Sequence, residues 1–246
     1  MKILIMGESC RDIFHYGESL RLCPDAPVPV FKSIKIIENG GMAKNVENNI
    51  NSLGLETLLI TNENYSNITK TRLVDYRANH MFIRIDQNDE NYGKLSEEEV
   101  SHIDFEEFDA VIVSDYNKGF FTDTLLKTIS LCHNTTFIDT KRVLGEWADS
   151  YSFIKLNSTE FAQTEPTLTA ALKEKLIITR GAMGSEYGGT TYVVPSVEVK
   201  DTSGAGDTFI AALCCEYLKS RDIARAICFA NECATRAVQK QGVSII

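Results

Sequence analysis

The chain has 246 residues, 43% of them hydrophobic and 24% charged, the balance of an ordinary globular protein rather than a disordered, fibrous or disulfide-stapled one. Lys and Arg number 25 against 34 Asp and Glu, a formal net charge of −9. That is the wrong sign for a protein whose main partner is nucleic acid or an anionic membrane, although a local cluster can still receive a small phosphorylated ligand.

The apolar start MKILIM is too short for a signal peptide, and no later run approaches the ~20 residues of a spanning helix, so a cytoplasmic location is expected. The seven cysteines include no CxxC and read as small buried hydrophobes, not as a disulfide framework or zinc site.

Residues 2–6 are an apolar run ending at Gly7, the pattern of a buried strand. Residues 10–39 hold three prolines, and VPVFKSIKII (28–37) alternates apolar and polar, which predicts a strand wet on one face. A helix is expected from Gly41 to about Leu53, with Val46, Ile50 and Leu53 on one side and Gly54 as its stop. A strand follows at 57–61. Two more alternating strands are expected within 70–86, joined at DYRANH. SEEEVSHI (96–103) opens with a capping box, Ser96 and Glu99. Beyond it, strands are predicted at 109–114, 136–139, 152–156 and 175–179, with a helix at 123–132. Gly188-Gly189 between 184–187 and 190–194 signals a hairpin. The last third is helical, at about 205–219 and 221–240.

Apolar strands alternating with amphipathic helices imply a mostly parallel sheet covered on both faces. The alternating segments belong to a small separate sheet, with lid segments at about 10–38 and 70–92. No linker, repeat or low-complexity tract appears, so 1–246 is read as one domain.

The strongest chemical signal is DTSGAGDTF (201–209). Gly204, Ala205 and Gly206 precede a helix, and small residues at a helix N-terminus let backbone N–H groups meet an anion. Such a loop can stabilise charge on a transferring phosphoryl group. Asp207, just inside it, can accept a proton from a hydroxyl, or can simply be an ordinary N-terminal Asp of a helix. No GxxxxGK[ST] occurs, and the dinucleotide fingerprint lacks its third glycine.

DTSGAGDTF resembles the C-terminal signature of the ribokinase-like (PfkB) carbohydrate kinases. ENGGMAKNVENNINSLG (38–54) resembles their N-terminal signature. RLCPDAPVPVF (21–31), MFIRIDQ (81–87) and VSDYNKG (113–119) are similar to the heptose-7-phosphate kinases of bacterial surface-polysaccharide synthesis. The resemblance implies an α/β fold, the ribokinase-like three-layer αβα sandwich with a small β lid. It also implies ATP and Mg²⁺ as cofactors, and transfer of the γ-phosphoryl group to a sugar phosphate, the anomeric hydroxyl of heptose 7-phosphate being the narrow reading.

Carried over residue by residue, Asp207 becomes the base, and Gly204, Ala205 and Gly206 the anion hole. Asn157 and Glu160 match the family's N-x-x-E, which organises Mg²⁺ and phosphate largely through water; the same pair could equally cap a helix. The sugar is expected against Asp12, Gly40, Gly41 and Asn45. Lys118, Arg84 and Arg72 are candidates for a phosphate on the acceptor, or else solvated charges, and Asp115 orders their loop or touches a hydroxyl. Thr179, Arg180, Gly181, Gly184 and Asn231 fall to the nucleotide. Asp139 and Lys141 match a D-P-K-like strand end, with Thr140 in place of Pro. The family's lids often pair, which implies a homodimer.

Departures from the family are also legible. Glu8 stands where many relatives have Asp. Only about eight residues separate Ile60 from the second pair of lid strands, where relatives carry a helix–strand unit, and 165–175 is short for a helical crossover. No nucleotidyltransferase half is seen, so any downstream activation is expected from a separate protein. Two alternatives stay open: a ribokinase-like kinase for another sugar or a nucleoside, and a silent sugar- or nucleotide-binding protein.

Overall fold

The fold comes from a computed structural model that describes residues 1–243, 245 and 246. Twelve strands and seven helices are formed by the described residues. In chain order they begin with β1 (Lys2–Gly7), β2 (Ser9–Glu18), β3 (Lys32–Met42), α1 (Ala43–Ser52), β4 (Glu56–Ile60), β5 (Thr69–Asp75), β6 (Met81–Gln87) and α2 (Glu97–Ser101). Then come β7 (Ala110–Asp115), α3 (Asp123–Cys132), β8 (Thr136–Thr140), β9 (Phe153–Asn157), α4 (Ser158–Thr164), α5 (Ala170–Lys173) and β10 (Leu176–Thr179). The chain finishes with β11 (Ser185–Tyr187), β12 (Thr190–Tyr192), α6 (Ala205–Ser220) and α7 (Ile223–Val238).

Eight strands form one sheet in the order β12-β11-β10-β9-β8-β7-β1-β4. From β10 to β4 every pairing is parallel, and the β10–β11–β12 end is antiparallel. Side chains alternate across each strand. Ile3, Ile5 and Ile112 therefore pack with α1, α6 and α7, while Leu4, Met6, Val111 and Val113 pack with Leu125, Leu126 and Ile129 of α3 on the opposite face. Three layers result, as the alternation of strands and helices implies.

The remaining strands form a four-stranded sheet, β3-β2-β5-β6. Its register sets the two faces. Asp12 pairs with Lys70, which pairs with Asp86, and Phe14 pairs with Arg72, which pairs with Arg84. All six project to one side, the side toward the main sheet. Ile13, Leu73, Ile83 and Ile85 project to the other, because neighbouring residues on a strand alternate.

Several sequence expectations shift. The first helix begins at Ala43, not Gly41: Gly40, Gly41 and Met42 end β3, and Met42 turns the chain with φ 64°. The lid strand expected from residue 28 starts at Lys32, and β2 is an additional strand within the expected lid segment. The last helix starts at Ile223 behind an Asp222 cap, since Arg221 closes α6 in the left-handed region. Cys10, Cys214, Cys215 and Cys233 are buried as expected, but Cys132 and Cys228 lie on the surface.

The two short stretches have structural outcomes. Only a single 3-10 turn separates β4 from β5, leaving β4 at the sheet edge with Leu58 exposed. The β9-to-β10 crossover is made by the two short helices α4 and α5. Among the described residues no helix is long and apolar enough to cross a membrane.

Ile112, on the central strand β7, is fully buried. Ile112→Ala should lower the unfolding free energy by about 2–5 kcal/mol in urea titrations; a loss below about 1 kcal/mol would contradict this packing.

Candidate active site

The loop before α6 is tied down by its first residue. Asp201 accepts the N–H of Ser203 at 2.8 Å and that of Gly242 at 3.1 Å. Gly204 then takes φ 77° as the N-cap. A side chain there would also press on the Asn45 amide, 2.7 Å from an ideal Cβ. A helix's first N–H groups lack intrahelical acceptors. Among the described residues, no acceptor takes those of Gly206 and Asp207. Lys155 sits so close under Gly206 that an ideal Cβ would meet its amine at 2.9 Å.

Asp207 is buried in the first turn of α6. Its two oxygens are held separately: Asn45 Nδ2 donates to one at 2.8 Å, and the Tyr116 hydroxyl to the other at 2.8 Å. Burial pushes the carboxyl up to about 6; the hydrogen bonds from Asn45 and Tyr116 pull the other way, and the Asp139 charge adds to the rise.

Two spaces meet at this residue, and a third lies beyond Gly206. The first, about 490 Å³, lies between the lid's inner face and the ends of the main strands. Asp12, Gly41, Asn45, Arg72, Arg84 and Lys118, each named for the acceptor, line it, together with Lys70, Tyr116 and Lys141. Four of its five cations are held by acids: Arg72 by Asp12, Arg84 by Asp86 at 2.7 Å, and Lys70 and Lys118 both by Asp89 at 2.5 Å. The hydrogen bonds from Lys118, Lys70 and Tyr92 outweigh its burial and hold the Asp89 carboxyl down at about 2.

The second space, about 160 Å³, is a polar chamber bordered by Asp139, Lys141, Lys155, Asn157, Glu160, Gly206 and Asp207. Lys155 Nζ is 2.8 Å from Asp139. The third is a largely apolar cleft of about 280 Å³ between residues 194–199 and α7, where Thr179, Gly181, Gly184, Phe209 and Asn231 come together. Asn231 donates to the Tyr192 carbonyl at 3.0 Å and so fixes one wall.

Three expected residues fall elsewhere. Gly40 pairs with Arg11 within the lid sheet and faces the Lys44 side chain. The Arg180 guanidinium pairs with Glu186 at 2.7 Å and lies over Phe161, so its side chain turns from the cleft. Asp115 borders the polar chamber, not the cation-lined pocket. It accepts from Thr140 Oγ1 at 2.6 Å, Arg142 Nε at 2.8 Å and the Asn117 N–H at 3.0 Å, which orders the loop.

The N-x-x-E motif forms a reciprocal helix cap. Asn157 Oδ1 accepts from the N–H groups of Thr159 and Glu160, and Glu160 accepts the Asn157 N–H at 2.6 Å. Glu160 still borders the chamber, its carboxyl pushed up by burial and by Asp139. Among the described residues no group of three or more His, Cys, Asp or Glu closes around a metal. The oxygen donors suit a hard cation that keeps its waters.

Tyr116 and Lys155 went unnoticed in the sequence, and Glu8 was noted only as a departure from the family. Tyr116 reaches Asp207 from 91 positions away. Glu8, buried, accepts the N–H groups of Tyr116 and Lys118, both at 2.9 Å, and shapes the loop between them. Lys155 sits two residues before Asn157 on β9, so strand alternation could have flagged it.

The profile of the pfkB family carbohydrate kinases matches residues 39–246. Curated relatives include the bifunctional protein HldE of Helicobacter pylori, 29% identical over 299 aligned positions, covering 99% of this chain and 64% of that protein. That of a Marinomonas species is 28% identical, covering 99% and 62%. The chain thus spans under two thirds of these relatives' length. Because 299 positions exceed its 246 residues, the relative carries insertions that this chain lacks. Similar solved structures include a nucleoside kinase of Methanocaldococcus jannaschii from the ribokinase family (TM-score 0.70, 16% identity, 98% and 92% coverage). Another is Arabidopsis thaliana ribokinase complexed with ribose and ATP (TM-score 0.70, 15% identity, 98% and 93% coverage). At such identities the likeness is one of fold. The family match over 39–246, together with that fold, settles the assignment: the chain belongs to the pfkB family of carbohydrate kinases.

Proposed function

We propose that the protein transfers the γ-phosphoryl group of ATP to a hydroxyl of a sugar phosphate, with heptose 7-phosphate as the favoured acceptor. One observation carries the reading: Asp207 borders both the cation-lined pocket and the polar chamber, at the N-terminus of α6. A hydroxyl in the first space and a phosphoryl group in the second would meet at its carboxylate. The apolar cleft on the far side of Gly206 suits an adenosine.

Asp207 takes the hydroxyl proton as the oxygen attacks phosphorus. Asn45 and Tyr116 keep its two oxygens aimed. The N–H groups of Gly206 and Asp207, which meet no acceptor among the described residues, and the roughly half positive charge at a helix N-terminus, receive the phosphoryl oxygens. Mg²⁺, held through water by Glu160 and Asn157, would neutralise charge on the nucleotide phosphates. The rest is positioning. Lys70, Arg72, Arg84 and Lys118 supply the cations for a phosphate on the acceptor, Arg by a planar fork and Lys as a point charge. The heptose assignment rests on the resemblance carried by 21–31, 81–87 and 113–119.

A second copy of the chain is the partner proposed for the lid. Its outward face carries Ile36, Ile83 and Ile85, each more than two-fifths exposed, and its β6 edge is unpaired. Exposed apolar edges of this kind need cover.

Asp207→Asn should lower kcat by about 10²–10⁴ while sparing ATP binding in calorimetry; equal turnover in variant and parent would remove Asp207 from its role. A base must be deprotonated to act. With the Asp207 carboxyl at about 6, kcat/KM should therefore fall as pH drops through about 6, and a flat profile from pH 5 to 8 contradicts the assignment. Lys118→Ala and Arg84→Ala should each raise KM for a sugar phosphate about tenfold or more, the worth of one charge-assisted hydrogen bond, with little change for an unphosphorylated sugar. In an acceptor panel, turnover of a nucleoside or free sugar but not heptose 7-phosphate would reject the narrow substrate; ligand-induced thermal shifts without ADP release would indicate a binding protein. Ile83→Asp should convert a dimer to monomer in sedimentation velocity, and a parent that sediments as a monomer rules out lid pairing.

A further inference from the structure

The strand end IDTK (138–141) closes β8 with two charged side chains that the reaction above does not use, and their surroundings differ. Asp139 is claimed by Lys155. The Lys141 amine has no carboxylate partner in ion-pair range among the described residues. It stands 4.0 Å from the centroid of the Tyr116 ring, the ring whose hydroxyl holds Asp207.

Four residues border both the acceptor-side pocket and the polar chamber: Tyr116, Lys141, Gly204 and Asp207. Lys141 is the cation of the four. Lys141 is exposed to solvent, while desolvation by the nearby protein pushes its pKa down against the pull of Asp139, Glu160 and Asp207, with Lys155 adding to the fall. Every other cation of the acceptor-side pocket is spoken for by an acid. A free positive charge therefore stands at the passage that a phosphoryl group must cross. Charge on that group is spread over three equatorial oxygens during transfer, and a partly desolvated cation acts on it more strongly than one in bulk water.

We propose that Lys141 is a catalytic residue whose amine binds an equatorial oxygen of the phosphoryl group in flight. This rests on the kinase reading above. The acceptor oxygen forms the new bond to phosphorus, the bond from phosphorus to the β,γ-bridging oxygen breaks, and ADP leaves with that electron pair. The hydroxyl proton goes to Asp207. Lys141 stays protonated throughout and contributes charge alone. If it served only to cover Tyr116, the effect of its removal would be that of one cation–π contact, a few-fold at most at an exposed site.

The test uses Lys141→Met, Lys141→Arg and Tyr116→Phe in the full chain. Lys141→Met should lower kcat about 100-fold or more, the scale of losing one donor to a transition-state oxyanion, with KM for ATP and for heptose 7-phosphate within about threefold. It should weaken binding of ADP with aluminium fluoride and Mg²⁺ by a similar factor and leave binding of ADP alone unchanged. Lys141→Arg should recover part of both losses, and Tyr116→Phe, which keeps the cation, should leave the aluminium fluoride complex tight. A kcat within about threefold of the parent, or equal losses for ADP and for ADP with aluminium fluoride, overturns the proposal. If Lys141→Met fails to fold, Lys141→Arg decides, because a merely structural lysine would show no selective loss for the aluminium fluoride complex. Should the parent phosphorylate no acceptor, the kinase reading falls, whereas the aluminium fluoride titration still decides Lys141.

Discussion

A carboxyl group buried at the start of a helix organises this molecule. Asp207 sits at the first turn of α6 with its pKa pushed up by burial, to about 6, and the fold holds it there with one hydrogen bond from α1 and another from the loop after β7. Burial alone would push it further; the Asn45 amide, the Tyr116 hydroxyl and the Lys155 charge hold the rise to about 6, in the range where a group can both take and release a proton near neutral pH. Loop, helix and partner elements each serve that balance. Asp201 pins the loop, Gly204 turns it, and the buried Glu8 fixes the backbone that carries Tyr116.

The lid solves a different problem with the simplest property of a strand. Register brings Asp12, Lys70, Arg72 and Arg84 to the inner face and leaves isoleucines outside. A slip of one residue would exchange a charged pocket for an apolar one. This sheet therefore has to be specified tightly despite its exposed position. The Asp89 carboxylate bridging Lys70 and Lys118 keeps the two cations side by side across strands and loop.

Local signals were readable from the chain, and long-range ones were not. The loop at 201–209, the capping box at Ser96 and the Gly188-Gly189 hairpin each depend on a few adjacent residues, and each appears where its pattern lies. The start of α1 was misread because a Met with positive φ carries no compositional mark. β2 was hidden because its inner face is polar where it lines the pocket, so apolar alternation is broken at Asp12. Tyr116 and Glu8 act through partners far along the chain, and nothing near them in sequence announces it; Lys155 was marked only by its alternation with Asn157 on β9. Arg180 and Asp115 were assigned by position in a motif, whereas Glu186 and Arg142, residues outside those motifs, decide where their charges go. The shortened segments were visible as missing length, and the open β4 edge is their physical consequence.

The most direct test of the account is a crystal structure of the protein with Mg²⁺, a non-hydrolysable ATP analogue and heptose 7-phosphate. The account requires an acceptor hydroxyl within about 2.6–3.2 Å of an Asp207 oxygen, in line with a terminal phosphate resting on the Gly206 and Asp207 N–H groups. A sugar seated with no hydroxyl near that carboxylate, or a triphosphate running away from the start of α6, would contradict it.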